Sequence, residues 1–297
     1  MSKRNARLAI SVAVIGLFPA VSAAAQSPFS FSTGDPDGKI AIATRPATAG
    51  FEIESADDFV LTHATSITSA TFTGLLPAGA STQDVVIEIY RVFPNDSDVG
   101  RTSGPPTFST TQVPTRVNSP SDVAFDERDN GTGLSFTTSL VMANFVAANS
   151  VQPNGIHPIP AFHTGGDGAV TGNEVQFSVN FTTPFTLPAD HYFFVPQVQL
   201  DSGDFLWLSA ARPIVSPGTP FPPGFTDLQS WTRDAALEPD WLRIGADIVG
   251  GTTFNAAFSV SGSVVPEPST WAMMLLGFAG LGFAGYRRAN KARSAST

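Results

Sequence analysis

The 297-residue sequence has no cysteine, four histidines and few charged residues. Without cysteine the chain has no disulfides, no thiolate catalysis and no cysteine-based zinc or iron–sulfur site. Charged residues make up 14%, and the formal net charge of −9 excludes a general nucleic-acid binder, which needs a basic face to replace phosphate counterions. The hydrophobic fraction of 42% is enough for a core, so it excludes wholesale disorder.

Glycine and proline, in contrast, are frequent, with 26 and 24 residues. This content predicts many turns and few long helices, and the length suits one large domain or two small ones. We therefore expect an all-β protein.

Alternating apolar and polar residues mark several strands. Val175, Phe177 and Val179 are apolar with polar residues between them, as in a half-buried strand, whereas residues 84–93 are largely apolar on both faces and suit a central strand. Other β-type runs lie at residues 51–53, 58–61, 67–73, 192–200, 205–209, 242–248 and 254–260. Nine or ten strands predict a single antiparallel β-sandwich or jelly-roll-like domain over residues 26–263.

Two segments of this body leave alternatives open. Residues 139–148 fit a helix almost as well as a strand, because their apolar spacing suits both. Residues 149–171 are loop-like, so a division into two domains at that place remains an alternative.

The N-terminus has the pattern of a secretory signal peptide. Three basic residues precede an apolar run at residues 8–21, and small residues follow up to Ala25. We expect cleavage between Ala25 and Gln26, so residues 1–25 are predicted to be removed and the remainder exported.

The C-terminus has the pattern of a membrane anchor. Pro266, Glu267 and Pro268 precede the uncharged, glycine-rich segment 270–286, and the basic residues Arg287 and Arg288 follow it. We predict a single transmembrane helix at 270–286, with the basic tail held in the cytoplasm and the body on the other side of the membrane.

These residues resemble the PEP-CTERM protein-sorting signal, which combines a Pro-Glu-Pro tripeptide, a short apolar helix and a basic tail. The resemblance covers residues 264–297. It implies a Gram-negative bacterium that makes extracellular polysaccharide and an exosortase-type enzyme that recognises and cuts the signal. It also implies anchoring in the inner membrane through the C-terminal helix before processing, and then release to the cell envelope or the extracellular space. The segment 56–74 resembles the opening strands of jelly-roll-like modules common among such proteins.

No catalytic template is present in the sequence, which lacks the nucleophile-elbow, Walker and His-Glu-x-x-His patterns. The carboxylate pairs available for glycoside hydrolysis are Asp57 with Asp58, Asp122 with Asp126, and Asp201 with Asp204. Adjacent strand residues point to opposite faces, which disfavours the first pair. We therefore predict no catalytic residues.

Metal ligation has two sets of candidates. His157 and His163 with Asp167 could meet a zinc ion, but two loop histidines beside prolines are the stronger interpretation. Three acidic turns place oxygen ligands at the close spacing that calcium uses, although none completes an EF-hand loop: residues 35–38, 95–98 and 126–131. We predict no cofactor or metal site and keep one calcium ion as an alternative.

Aromatic residues could form a platform for sugars. Trp207, Trp231, Trp241 and Tyr192 are the candidates, and Trp231 and Trp241 lie near loops, which favours their exposure. Anchoring of the core is the alternative role for large aromatic side chains.

These observations favour a non-catalytic exported protein of the cell envelope or extracellular matrix that binds exopolysaccharide or calcium. The alternative is a secreted hydrolase of the glycoside hydrolase type, and a filament or surface-layer subunit is a third interpretation. Residues 26–265 hold 9 of the 16 Lys and Arg residues and 24 of the 25 Asp and Glu residues, which gives this body a net charge of −15. Such a charge favours neutral or cation-bridged sugars over anionic partners.

Overall fold

The computed structural model describes residues 26–97, 116–156, 163–266 and 268–294. The predicted signal peptide, residues 1–25, lies outside this part of the chain. The described residues form two β-sheets packed face to face and one C-terminal helix. The predicted all-β sandwich is therefore confirmed.

The larger sheet has nine strands, which are β1 (Pro28–Ser32), β2 (Pro36–Ala43), β4 (Thr65–Leu76), β7 (Leu134–Ala147), β8 (Asn149–Val151), β9 (Val170–Leu187), β11 (Leu206–Ala210), β14 (Asn255–Ala256) and β15 (Phe258–Val264). Six of them lie in the order β1-β15-β4-β11-β2-β8. Strand β14 pairs with β11, and β9 followed by β7 lies on the other side of β4. All pairs are antiparallel except for β2 with β8.

The smaller sheet has six strands, which are β3 (Ile53–Leu61), β5 (Thr82–Arg91), β6 (Asp126–Asp129), β10 (Asp190–Leu200), β12 (Trp231–Asp234) and β13 (Leu242–Arg243). They lie in the order β13-β12-β3-β10-β5-β6, and all pairs are antiparallel. Short 3-10 turns at Ala47–Ala49 and Pro153–Gly155 connect other elements.

The main core lies between the sheets and is rich in phenylalanine. Phe72 of β4 stacks on Phe177 of β9 at 4.7 Å between ring centroids, and Phe194 of β10 stacks on Phe258 of β15 at 5.1 Å. The alternation predicted for β9 is correct, because Val175, Phe177 and Val179 all belong to this core. Aromatic pairs of this kind stabilise a core beyond the area that they bury.

A second apolar cluster covers the outer face of the six-stranded sheet. Tyr90, Phe193 and Trp231 come from its strands, and Leu228 and Trp241 lie in the chain before and after β12. Strand β3 is consequently buried along its whole length, with every residue of Ile53–Leu61 inaccessible to solvent. Polar side chains of β3 therefore lie in the interior.

The structure resolves one segment that the sequence left open and corrects one predicted strand. The ambiguous segment 139–148 is a strand, since β7 pairs with β9 in a long antiparallel ladder. The strand predicted at 242–248 is wrong after Arg243, where the chain forms a π-helical turn over Ile244–Val249. The carboxylate of Asp247 accepts hydrogen bonds from the backbone N–H and the guanidinium of Arg243, which diverts the chain from the ladder.

Candidate functional site

The C-terminal segment leaves the body directly after its last strand. Val264 donates its backbone N–H to Ser27, and Val265 donates to Ala64, so the sandwich is hydrogen-bonded up to the residue before Pro266. Glu267 lies outside the described residues. The helix α1 then extends over Pro268–Ser294 and includes the whole predicted helical segment 270–286.

The apolar side chains of α1 are exposed around the helix. Leu275, Leu276, Phe278, Leu281 and Phe283 are 50 to 71% exposed, and no described side chain of α1 belongs to the apolar clusters of the body. Arg287 lies over the Phe283 ring at 5.9 Å. Among the described residues, no helix combines the length and the apolar character that crossing a membrane requires, so the predicted transmembrane helix is not confirmed.

The body carries a pocket of about 310 Å³ at the end of the six-stranded sheet where β12 begins. Trp231 of β12, Arg243 of β13 and Arg212, which follows β11, form parts of its wall. The remaining lining residues are Val117, Asn118, Thr226, Asp227, Leu228, Gln229 and Thr253. The volume lies at the lower end of the range of small-molecule sites.

The charged groups of this pocket are paired with each other. Arg212 lies 3.6 Å from the carboxylate of Asp227, and its guanidinium also donates to the Asp227 backbone carbonyl. Arg243 is held by Asp247 at 2.6 Å. Burial raises the pKa of Asp227, and the positive charge of Arg212 opposes this rise. The two arginines are thus each matched by one carboxylate, and the wall carries no excess charge from these groups.

Within the described parts of the chain, four side chains of the wall have a buried polar atom without a hydrogen-bond partner. Two of these atoms are donors, Nη1 of Arg212 and Nε1 of Trp231. The other two are acceptors, Oδ1 of Asp227 and Oε1 of Gln229. Buried polar atoms are almost always hydrogen-bonded in folded proteins, so such a group of four in one pocket requires an explanation.

A buried acidic pair lies behind the pocket. Asp58 accepts a hydrogen bond from the backbone N–H of Leu228 at 3.1 Å and forms a second one with Nε2 of His191 at 2.6 Å. Asp57 accepts from the Ser230 hydroxyl and from the Ala256 backbone N–H, both at 2.9 Å. Burial raises the pKa of both carboxyls and lowers the pKa of His191 to about 4. A neutral Asp58 beside a neutral imidazole is the pair that these shifts favour.

A second buried network lies on the outer face of the same sheet. Glu54 is held by the guanidinium of Arg233 and by the Tyr90 hydroxyl at 2.6 Å, and that hydroxyl is also 3.3 Å from Glu88. Burial and the neighbouring charge of Glu54 raise the pKa of Glu88 from 4.5 to about 10. Glu54 and Glu88 are 2% and 8% exposed, so both carboxyl groups are closed off from solvent.

The aromatic residues proposed for sugar stacking do not form an exposed platform. Trp231 and Trp241 are 1% and 0% exposed, and Trp207 and Tyr192 are buried as well. The expected exposure of Trp231 and Trp241 is therefore wrong. Trp231 pairs with Ala56 of β3 in the sheet, and Trp241 packs on Tyr90 and donates its Nε1–H to the Ser121 carbonyl.

In each carboxylate pair named from the sequence, the two carboxylates have different partners. Asp57 and Asp58 have separate partners on opposite faces of β3, as the strand alternation predicts. Asp122 pairs with Arg116 and Asp126 with Arg128, at 2.6 Å in the second pair. Asp204 pairs with Arg45 at 2.5 Å, whereas Asp201 is exposed and accepts from the Ser81 backbone N–H.

The structure brings the candidate metal ligands into no common site within the described residues, where no group of three or more His, Asp or Glu side chains is suited to hold an ion. Asp37 accepts from the Ser209 hydroxyl and pairs with Lys39, and Asp96 lies 3.4 Å from Arg91. His163 is exposed, Asp167 accepts from the Gln152 backbone N–H, and His157 and Asp98 lie outside the described residues.

Sequence reasoning missed Arg212, Asp227 and Gln229 as site residues. Arg212 follows β11, and the other two approach β12, so they are far apart along the chain and no motif joins them. Two sequence features point to this region, namely the turn-rich stretch 213–224 and the candidate aromatic residue Trp231.

Comparison with known proteins yields a match at the C-terminal segment. A family model described as the PEP-CTERM protein-sorting motif matches residues 264–288, a range that begins at the last residue of β15 and ends at Arg288. Neither the curated proteins nor the solved structures provide a match. The matched range includes the Pro-Glu-Pro tripeptide and Arg287, whose individual roles remain predictions. The chain is thus an exported protein that carries a C-terminal PEP-CTERM sorting motif, a signal for processing by an exosortase-type enzyme.

Proposed function

We propose that this protein is a non-catalytic component of the cell envelope or extracellular matrix. In this proposal the body binds extracellular polysaccharide after delivery by the sorting motif. The observation that carries the delivery step is the junction at Pro266. The sandwich is complete at Val264 and Val265, and the exposed apolar helix begins only at Pro268. A cut near this junction removes the helix without removing a strand.

Before processing, α1 holds the chain at the inner membrane in this proposal. Its exposed leucine and phenylalanine side chains are apolar around the helix, a surface that is unfavourable in water. The exposed Arg287 and Arg288 stand at the cytoplasmic end, as the positive-inside rule requires. The exosortase-type enzyme then releases the body from this anchor.

We propose that the body is not catalytic because its neighbouring carboxyl groups are buried and out of reach of a substrate. Glycoside hydrolases place two carboxyl groups on opposite sides of a sugar bond, within reach of the substrate. Glu54 and Glu88 are almost fully buried, and Glu54 is neutralised by Arg233. Asp57 and Asp58 are also buried and point to opposite faces of β3. A polysaccharide chain cannot reach any of these pairs in the folded protein.

The delivery step is tested by triple substitution of Pro266, Glu267 and Pro268 with alanine in a host that contains an exosortase. We expect the wild-type chain to be shortened and recovered from the envelope or medium, and the variant to stay full-length in the inner membrane. The matched control is Pro222→Ala with Pro223→Ala, which removes two prolines outside the motif. Equal processing of wild type and triple variant would overturn the delivery step.

The binding step is tested with the full chain in a detergent that has no sugar headgroup. We expect it to sediment with the producing bacterium's own extracellular polysaccharide, and no reducing sugar to be released during prolonged incubation. A chelator arm separates direct sugar contact from calcium bridging, because bridging is lost when the ion is removed. Release of reducing sugar would instead establish the hydrolase alternative.

A further inference from the structure

The pocket beside β12 has the chemistry of a site for hydroxyl groups. Its wall contains two unpartnered donors, on Arg212 and Trp231, and two unpartnered acceptors, on Asp227 and Gln229. A cation satisfies only acceptors, and an anion satisfies only donors. A hydroxyl group both donates and accepts, so a ligand with several hydroxyls satisfies all four atoms.

The charges of the wall point to a neutral ligand. Arg212 is matched by Asp227, and Arg243 is matched by Asp247, so neither arginine has a free charge for a carboxylate or sulfate group. The surrounding body carries a net charge of −15, which repels anionic chains. These two facts together exclude uronic-acid polymers as the preferred partner.

The size of the pocket limits the ligand to one or two sugar units. Its volume is about 310 Å³, near the minimum for small-molecule sites. Arg212, Asp227 and Gln229 are half-buried, so part of each side chain faces the pocket while the unpartnered atom is covered. Trp231 is 1% exposed, so its Nε1 is covered as well, and contact between a ligand and these four atoms requires side chains of the wall to move.

We propose that this pocket binds a neutral sugar unit of a polysaccharide chain, with hydrogen bonds to Arg212, Asp227, Gln229 and Trp231. This inference rests on the proposed function and names the residues and ligand class for its binding step.

The test compares Gln229→Ala with Gln152→Ala in the full chain, in detergent without a sugar headgroup. Among the described residues, Oε1 of Gln229 has no hydrogen-bond partner, so its truncation leaves no partner of that atom behind. Gln152 is exposed and does not line the pocket, which makes it the matched control. The probes are glucose, galactose and mannose oligosaccharides and, as the anionic probe, alginate oligosaccharides, all measured by titration calorimetry.

We expect saturable binding of at least one neutral oligosaccharide, weakened about tenfold by Gln229→Ala and unchanged by Gln152→Ala. Trp231→Phe, which removes the unpartnered donor but keeps an aromatic ring, is expected to weaken binding as well. Circular dichroism melting of each variant shows that the fold is retained. Failure to bind any neutral probe, preference for alginate, or equal binding by both glutamine variants would each overturn the inference.

The outcomes separate this inference from the proposed function. If the wild type and Gln229→Ala bind the producer's polysaccharide equally, the pocket assignment is overturned and the proposed function stands. If the wild type binds no polysaccharide at all, both are overturned.

Discussion

At the scale of single residues, the most unusual feature is the number of carboxyl groups inside the sandwich. Asp57, Asp58, Glu54 and Glu88 are each between 0 and 8% exposed. Each lies on β3 or β5, and each has hydrogen-bond partners brought from other strands. Burial of this kind favours the neutral form of a carboxyl unless a cation compensates it, and only Glu54 has an arginine partner.

Glu88 provides a prediction for the pH dependence of stability. Its pKa is raised from 4.5 to about 10, so between these values the folded protein holds a proton that the unfolded chain releases. The free energy of unfolding therefore falls as pH rises through this window. Glu88→Gln keeps the shape of the protonated side chain and is expected to raise stability at pH 7 by on the order of 2 kcal/mol, with no gain below pH 4.5.

Urea unfolding at pH 4, 7 and 9 measures this difference. Asp129→Asn is the matched control, because Asp129 is an exposed carboxylate of β6 and is not among the groups that shift the pKa of Glu88. We expect the control to change stability by less than about 0.5 kcal/mol. A Glu88→Gln protein that is less stable than wild type at pH 7 would show that the carboxyl is ionised in the fold.

At the scale of elements, sequence periodicity predicted strands well where one face is buried. The alternation in β9 was sufficient to identify it, because its apolar residues all face the core. Strand β12 is short and buried on both faces, and β13 has only two residues, so neither shows alternation; their place in the sheet depends on the pairing of β12 with β3 and of β13 with β12. The burial of Trp231 and Trp241 could not be read from the sequence for the same reason.

Strand β7 is the exposed edge of the larger sheet. It pairs with β9 on one side, and Leu140, Val141, Met142 and Val146 are 53 to 63% exposed. No residue of Leu134–Ala147 is charged. Edge strands without charge are the usual starting points of edge-to-edge association between copies.

Val141→Lys is expected to reduce self-association of the full chain at high concentration, because a lysine on an edge strand opposes pairing with a second edge. Light scattering across a concentration series provides the measurement. Thr183→Lys adds the same charge at an exposed position of β9 and serves as control. If both variants associate as the wild type does, β7 is not the contact. If the wild type remains monomeric throughout, the filament interpretation also fails.

At the scale of the whole molecule, the body and α1 are separate in their packing. The described side chains of α1 contribute nothing to the apolar clusters, whereas the last strand β15 pairs with both β1 and β4. The described polypeptide thus consists of an acidic sandwich followed by a helix that packs on none of its apolar clusters, an arrangement compatible with the proposed processing at the junction.

A chain ending at Val265 is therefore expected to fold as the longer chain does. We expect its melting temperature to differ from that of the full chain by no more than about 4 °C, since no described side chain of α1 belongs to the apolar clusters of the body. Circular dichroism melts of the two proteins in the same detergent provide the comparison. A loss of cooperative unfolding in the shorter protein would mean that α1 stabilises the sandwich.

The sequence alone identified the sorting signal of this protein and its fold class. Export and sorting depend on contiguous segments, such as the run from Pro266 to Arg288, and the strands of a sandwich show themselves through local alternation. The tertiary structure decided which side chains meet. One pocket is lined by four side chains from different segments, Arg212, Asp227, Gln229 and Trp231. They meet because antiparallel pairing places β12 against β3, and because the chain that follows β11 returns to the beginning of β12. Such contacts between distant segments depend on strand order and register, which a single sequence does not display.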